Sequence, residues 1–319
     1  MKLKHILMAS ALAFGLAASA QARELTLGTQ DNEATPVFKG AAEFAKKLEE
    51  VSGGEFTVKL FPSATLGDFK AMVQQVQAGE LDMVITGYPD MSYTIPELKL
   101  IGAPYVVSDY DQLTEIVAGP WGRKMAGKFN EKGMQVLDVW YYGTRQTTAN
   151  KPINSIEDMK GLRLRTPNVP FLIAYAEAVG ATPAPVAFPE VYLALQTNQV
   201  DAQENPLTTI DAQKFYEVQS SVALTNHFVA SSSVMIGKAL WDTLSDQEKA
   251  WVNDAVAAGG TLNNDLIEKG EAELLGTFKE KGLTVTEPDL EPFRAAMQSY
   301  YDTLEEEFGK GAIAEVTAK

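Results

Sequence analysis

The sequence predicts an α/β protein of two similar lobes with a cleft between them, and three observations carry that reading. Strand and helix patterns alternate from Glu24 to about Thr86, and the same alternation restarts near residue 144. The length, 319 residues with no cysteine, suffices for two cores without disulfides.

The opening stretch "MKLKHILMASALAFGLAASAQA" places Lys2 and Lys4 before an apolar run from Ile6 to Ala18 and ends in Ala20-Gln21-Ala22. That order of charge, apolar run and small residues is a secretory signal peptide, too short for a spanning helix. Cleavage after Ala22 leaves 297 residues, and no cysteine follows to carry a lipid. A soluble protein exported to a bacterial periplasm is expected.

In the first unit, "ELTLGT" is a strand that leads to Thr35-Pro36, a helix start with Thr at the N-cap and Pro at N1. Val37, Phe38, Ala41, Phe44, Ala45, Leu48 and Val51 keep the helical period, and Gly53-Gly54 ends it. "EFTVKLF" is the next strand, a helix follows from about Asp68 to Ala78, and "LDMVIT" is the third strand. This alternation predicts a parallel sheet covered by helices. "EKGMQVLDVWYY" reads as a strand near a lobe crossing.

In the second unit, "GLRLRT", "ATPAPV" and "VDAQEN" are strands, with "NVPFLIAYAEAVG" and "PEVYLALQTN" as helices between them. "SSSVMIGKAL" returns towards the first lobe as a strand. Ser245 with Glu248 forms a capping box that opens a helical stretch to about Lys281. "LTVTEP" and a last helix from Leu290 to Gly309 complete the chain. The expected division is residues 23–143 plus about 231–270 for lobe I, and 144–230 plus about 271–319 for lobe II.

Removing Lys2 and Lys4 with the leader takes the formal net charge from −15 to −17. A field of that sign repels nucleic acid and anionic lipid. No later apolar run is long enough to span a membrane. Beyond the leader the only histidine is His227, so thiol chemistry is excluded and a zinc site would need carboxylates alone. His227 itself is expected to be an ordinary hydrogen-bonded residue near a lobe crossing. The chain shows no nucleophile elbow, dinucleotide fingerprint or phosphate-binding loop. No catalytic residue, metal ligand or cofactor is therefore assigned.

The stretch "GTRQTTANKPINSIEDMKGLRLRTPNVP" concentrates Arg145, Arg163 and Arg165 in this acidic chain. Alternation puts Arg163 and Arg165 on one face of their strand. Arg165 lies last, before Thr166-Pro167, where open α/β sheets hold ligands beyond the strand ends. Arg165 is thus the cleft candidate, and Arg163 is expected to face protein or water.

The runs "YYGTRQTTANKPINSIEDMKGLRLRTPNVP", "VGATPAPVAFPEVYLALQTNQVDAQENPL" and "AQKFYEVQ", with "GDFKAMVQQVQAGELD" earlier, resemble the DctP-type periplasmic substrate-binding proteins of TRAP transporters. Within them they resemble the sialic-acid-binding subgroup. The resemblance covers essentially the whole mature chain. It implies the two-lobe periplasmic binding protein fold, a long helix spanning both lobes, closure over an organic acid, and two integral membrane partner subunits, small and large. A monomer is expected.

By the same resemblance the carboxylate-binding arginine falls on Arg165, a second arginine on Arg145, and the asparagine of "QENP" on Asn205; further pocket positions fall on Asn168 and Phe188. The chemistry agrees: guanidinium presents paired donors to both carboxylate oxygens. The rest of the subgroup pattern fails. Gln30 replaces asparagine, Phe69 an acidic residue, Gly87 glutamate and Asp90 arginine, so the acceptors for a polyhydroxylated tail are expected to be gone, with Gln30 and Tyr88 as remaining polar contacts.

The reading is a receptor without turnover that captures a small organic anion, such as a sugar acid or a hydroxy or keto acid. A small sulfonate or sialic acid is the alternative ligand. Alternative classes are an ABC-transporter receptor, a signalling ligand module and a periplasmic enzyme.

Overall fold

The structure, a computed structural model, describes residues 22–318. The leader assigned to residues 1–22 lies, but for Ala22, outside the described residues. Nine strands form one sheet: β1 (Arg23–Thr29), β2 (Phe56–Phe61), β3 (Met83–Gly87), β4 (Met134–Ala149), β5 (Arg163–Thr166), β6 (Thr182–Pro185), β7 (Ala202–Pro206), β8 (Ser221–Gly237) and β9 (Thr284–Thr286). Their order is β2-β1-β3-β8-β4-β7-β5-β6, with β9 beside β8.

The first unit forms as its sequence dictates. Thr35 accepts a hydrogen bond from the Phe38 N–H at the start of the helix Pro36–Val51, and Val37, Ala41, Phe44 and Leu48 are buried along one face. Asp68 caps the helix Phe69–Ala78 through the Ala71 N–H, and Gly79 ends it in the left-handed conformation. β2, β1 and β3 are parallel, as are β7, β5 and β6.

The sheet as a whole is mixed, which corrects the parallel expectation. β8 runs antiparallel to β3 and β4, and β4 runs antiparallel to β7. β4 and β8 pair from Met134↔Gly237 to Ala149↔Ser221, so two long strands pass through both lobes. Each extends well beyond the segment expected from sequence. The extensions, "GTRQTTA" and "SVALTNHFVA", look weakly strand-like because they bury polar groups. Those groups are satisfied sideways: Thr147 bonds Thr225 at 3.1 Å, and Thr148 donates to Gln219 while accepting from Gln203.

Four clusters of buried apolar residues cover the two faces of each lobe. Met72, Val84, Leu98 and Met125 lie on one face of the first unit, and Leu27, Phe44, Trp140 and Val256 on the other. Leu164, Tyr175 and Phe293 lie on one face of the second unit, and Val191, Ile210 and Phe278 on the other. The helix Asp246–Glu280, opened by the Ser245/Glu248 capping box, contributes Val252 and Val256 to the first lobe and Phe278 to the second. It spans both.

The C-terminal segment departs from expectation twice. It breaks into Glu291–Ala296, Gln298–Phe308 and Ala312–Thr317. Phe293 and Met297 pack in the second lobe, but Leu304, Ala312 and Val316 join the first lobe's core, so lobe II does not hold all of 271–319. No helix among the described residues is long and apolar enough to cross a membrane.

The helices Pro36–Val51 and Asp246–Glu280 touch at glycines. A Cβ on Gly40 would lie 2.8 Å from the Gly259 carbonyl oxygen and 3.0 Å from the Trp140 ring. Gly127, on the exposed face of the helix Pro120–Glu131, has nothing within 4 Å of such an atom. We expect Gly127→Ala to stabilise the ligand-free protein by about 0.5–1 kcal/mol through helix propensity. Gly40→Ala, the same chemical change, is expected to destabilise it by about 1–3 kcal/mol through overpacking. Urea unfolding of the two variants tests the contrast.

Candidate functional site

A cavity of about 270 Å³ lies beyond the C-terminal ends of β1, β3, β5 and β7, with β4 and β8 crossing its floor. The two units meet there, and each supplies a wall. Gln30 follows β1, Phe69 begins a helix, Arg165 is the last residue but one of β5, Asn168 and Phe188 follow β5 and β6, and Asn205 lies in β7; all line the cavity. Tyr88 does not.

Arg165 is 2 % exposed. Its Nε and Nη2 donate to the Val186 carbonyl at 3.0 and 2.7 Å, and its guanidinium lies 5.8 Å from the centre of the Phe188 ring. No carboxylate pairs with it among the described residues. Burial pulls its pKa down to about 10, although Glu204 acts against the shift. A guanidinium in that state favours any anion that reaches its remaining donors.

Arg145 also lines the cavity, but unlike Arg165 it has a carboxylate partner. Its Nε donates to Glu204 Oε2, and its Nη2 donates to Glu204 Oε1 at 2.8 Å and to the Glu204 carbonyl at 2.7 Å. Only Nη1 has no protein acceptor, so Arg145 lines the cavity as half of an ion pair. Glu204 also meets His227 Nε2 at 3.1 Å, and His227 Nδ1 meets Thr225 at 2.9 Å. The His227 ring stacks on Tyr175 with centroids 4.1 Å apart.

Burial drives Glu204 upward, but the Arg145 charge and the His227 hydrogen bond outweigh it and hold the carboxyl at about 2. Burial, reinforced by Arg145, lowers the His227 pKa, so the ring is neutral and donates from Nε2 to the carboxylate. The Asn205 amide donates to Gln203 at 2.6 Å, leaving its other amide hydrogen free. Arg163 is half exposed and pairs with Asp201 at 2.5 Å, outside the cavity.

The polar role expected for Tyr88 fails. Its backbone is tied to β8 through its N–H to the Ser231 carbonyl, and its ring is buried in the first lobe's core, stacked on Phe129 at 5.5 Å. The expected loss of acceptors also fails, because Asp31 and Asp90 both line the cavity. Asp31 accepts from Thr29 and from the Tyr142 hydroxyl, each at 3.1 Å, and burial pushes its carboxyl up to about 6.

Phe69 has a wider role than filling volume. It packs with Val169, Phe171, Leu172, Phe228 and Ala230, an apolar seam between the two units. Sequence reasoning missed Glu204, Asp31 and Tyr142, and it named Asp90 only as a departure from the subgroup pattern, not as an acceptor. A signal existed for one of them. Arg145 pairs with Pro206 across β4 and β7, so Glu204, two residues away in β7, shares its face.

Two α/β lobes joined by crossing strands, with an uncompensated buried guanidinium in the cleft, define a binding protein for an anionic solute. Residues 27–307 match the family of bacterial extracellular solute-binding proteins, family 7, of the DctP type, and the chain belongs to it. The family is the substrate-binding component of TRAP transporters. The chain is 43% identical to a sialic acid-binding periplasmic protein of Vibrio cholerae, over 93% of each chain. It is 34% identical to a 2,3-diketo-L-gulonate-binding periplasmic protein of Escherichia coli, over 93% of this chain and 92% of that one. A TRAP solute-binding protein of Roseobacter denitrificans with bound L-galactonate superposes with a TM-score of 0.86 at 30% identity, covering 92% of this chain and 98% of that one.

Glu204→Gln removes the counter-charge of a buried guanidinium and is expected to destabilise the fold by about 3–5 kcal/mol at pH 7. The folded carboxyl sits at about 2 against an ordinary value of 4.5, so its contribution is full above 4.5 and fades as pH falls towards 2. Urea unfolding at pH 7 and pH 3 should therefore show a smaller gap between wild type and variant at the lower pH.

Proposed function

We propose that the chain is the periplasmic receptor of a TRAP transporter, capturing a small organic acid without turning it over and presenting it to a pair of membrane subunits. The observation that carries the reading is Arg165: buried, charged and, among the described residues, hydrogen-bonded only to the Val186 carbonyl, in a cleft between two lobes. Planar bidentate recognition of a carboxylate uses the donors that this arrangement leaves open. Asn205 and Arg145 Nη1 converge on the same cavity with donors to spare. Sugar acids and their keto relatives are the ligand class, in keeping with the acids named for the relatives.

The lobes close by a hinge through the crossing strands. Gly143, at φ 111°, pairs with Ala230 where the β4/β8 register shifts. Glu271 of the long helix accepts from the Thr144 N–H at 2.6 Å and from the Tyr141 hydroxyl at the same level. The lobe division near residues 143, 230 and 270 falls on this plane, with residues after about 298 returning to the first lobe. Closure needs contacts that exist only in the closed state. The Phe69 seam is one set, and the ligand bridging Arg165 to the opposite wall is the other.

Arg165→Ala is expected to weaken acid binding by about 3–5 kcal/mol, two or more decades in Kd. The ligand-free variant is expected to keep or raise its Tm, because the change removes a buried, uncompensated cation. Isothermal calorimetry and thermal unfolding of ligand-stripped protein test both halves. Wild-type affinity in the variant would remove Arg165 from the site.

The ligand class is tested by thermal shift of stripped protein against aldonates and uronates, keto acids, small sulfonates and sialic acid. Binding to the native state raises the Tm by mass action. Aldonates, uronates or keto acids are expected to give the largest shift. A panel with no response sinks the receptor reading.

A further inference from the structure

We propose that the Asp90 carboxylate is the specificity-determining acceptor of the cleft, and that it selects an acid bearing hydroxyl groups along its carbon chain. The inference rests on the receptor reading and names the ligand's second recognition feature.

Asp90 is the second residue of the helical turn Pro89–Tyr93, which follows β3, and it lines the same cavity as Arg165. Its carboxylate lies over Gly87. A Cβ on Gly87 would sit 2.4 Å from Asp90 Oδ2 and 2.5 Å from its Cγ. The Gly87 backbone is not in the left-handed region. What this position requires is the missing side chain, which gives the Asp90 carboxylate its place in the wall.

Three carboxylates line the cavity, and they differ in one respect: Asp68 accepts from the Ala71 N–H at its helix start. Asp31 is held by Thr29 and Tyr142. Asp90 receives no hydrogen bond from any described residue, and burial pushes its carboxyl up to about 6 despite the Arg145 and Arg165 charges nearby.

An ionised carboxylate accepts hydrogen bonds and donates none. That wall complements ligand hydroxyls, which donate to Asp90. An acid without hydroxyls leaves the carboxylate unpaired inside the closed cleft, which is how polar sites reject bare analogues. Arg165 fixes the acid group, and Asp90 then discriminates among acids.

The test is calorimetric titration of the full mature chain with L-galactonate, D-erythronate, hexanoate and 6-aminohexanoate. The proteins are wild type, Asp90→Ala, Gly87→Ala and the double variant, each checked for unchanged circular dichroism. Wild type is expected to bind one of the hydroxylated acids at least about a hundredfold more tightly than hexanoate. Asp90→Ala should lower that affinity by about ten- to a hundredfold.

Gly87→Ala should give a similar loss by displacing the carboxylate, and should add less than about threefold in the Asp90→Ala background. Hydroxylated-acid affinity within about twofold of wild type in Asp90→Ala overturns the proposal. So does wild-type preference for hexanoate or 6-aminohexanoate. Wild-type protein that binds none of the four, and no acid in the thermal-shift panel, overturns the receptor reading itself and this inference with it.

Discussion

The site depends on a charge asymmetry between two buried arginines. Arg145 and Arg165 line one cavity, and the buried carboxylate of Glu204 is bonded to Arg145. Two bare guanidinium groups at close range would repel each other and resist burial. Glu204 neutralises Arg145 and leaves Arg165 as the uncompensated cation. His227 and Thr225 continue the hydrogen-bonded chain inward and hold Glu204 in place. The protein thus confines its demand for an anion to one residue at a strand end, and that demand is what a ligand satisfies.

The crossing strands make this arrangement stable. Arg145 lies in β4, Glu204 in β7 and His227 in β8, three neighbouring strands of the continuous sheet. The ion pair is consequently built into hydrogen-bonded ladders and does not depend on loop conformation. The cleft walls are different: Gln30, Asp90, Asn168 and Phe188 all follow strand ends or begin short turns. Rigid elements hold the charge arrangement, and the connecting segments carry the groups that vary the pocket's shape.

Much of the fold was legible because local signals agreed with it. Thr35-Pro36, Asp68, Gly79 and Ser245/Glu248 all cap helices as their chemistry directs. The full reach of β4 and β8 was not legible, since Thr147, Thr148 and Thr225 are polar residues buried at a lobe junction. Only tertiary pairing satisfies them, and periodicity does not report it. In the site, Arg165 was legible from its place at a strand end. The fate of Arg145 was not, because its partner is 59 positions away on an adjacent strand. Tyr88 was misread for a related reason: the helical turn Pro89–Tyr93 starts immediately after it, so the alternation along β3 does not tell which way its ring points.

The two walls of the cleft divide the polar groups between them. The second unit and the crossing strands hold the donors: Arg165, Asn168, Asn205 and the Arg145–Glu204 pair. The first unit holds Gln30, Phe69, Gly87 and Asp90 on the other wall. A substitution at Gly87 moves only the Asp90 side chain that packs on it, and leaves β5 and β7 untouched. Substitutions at Arg165 or Glu204 would instead alter the balance of buried charge on which the cavity rests. The ligand's acid group is therefore tightly constrained by energetics, while the remainder of the ligand is read by a wall free to diverge. Family membership accordingly reports on the first of these features, and the identity of the acid has to be read from the side chains of the second.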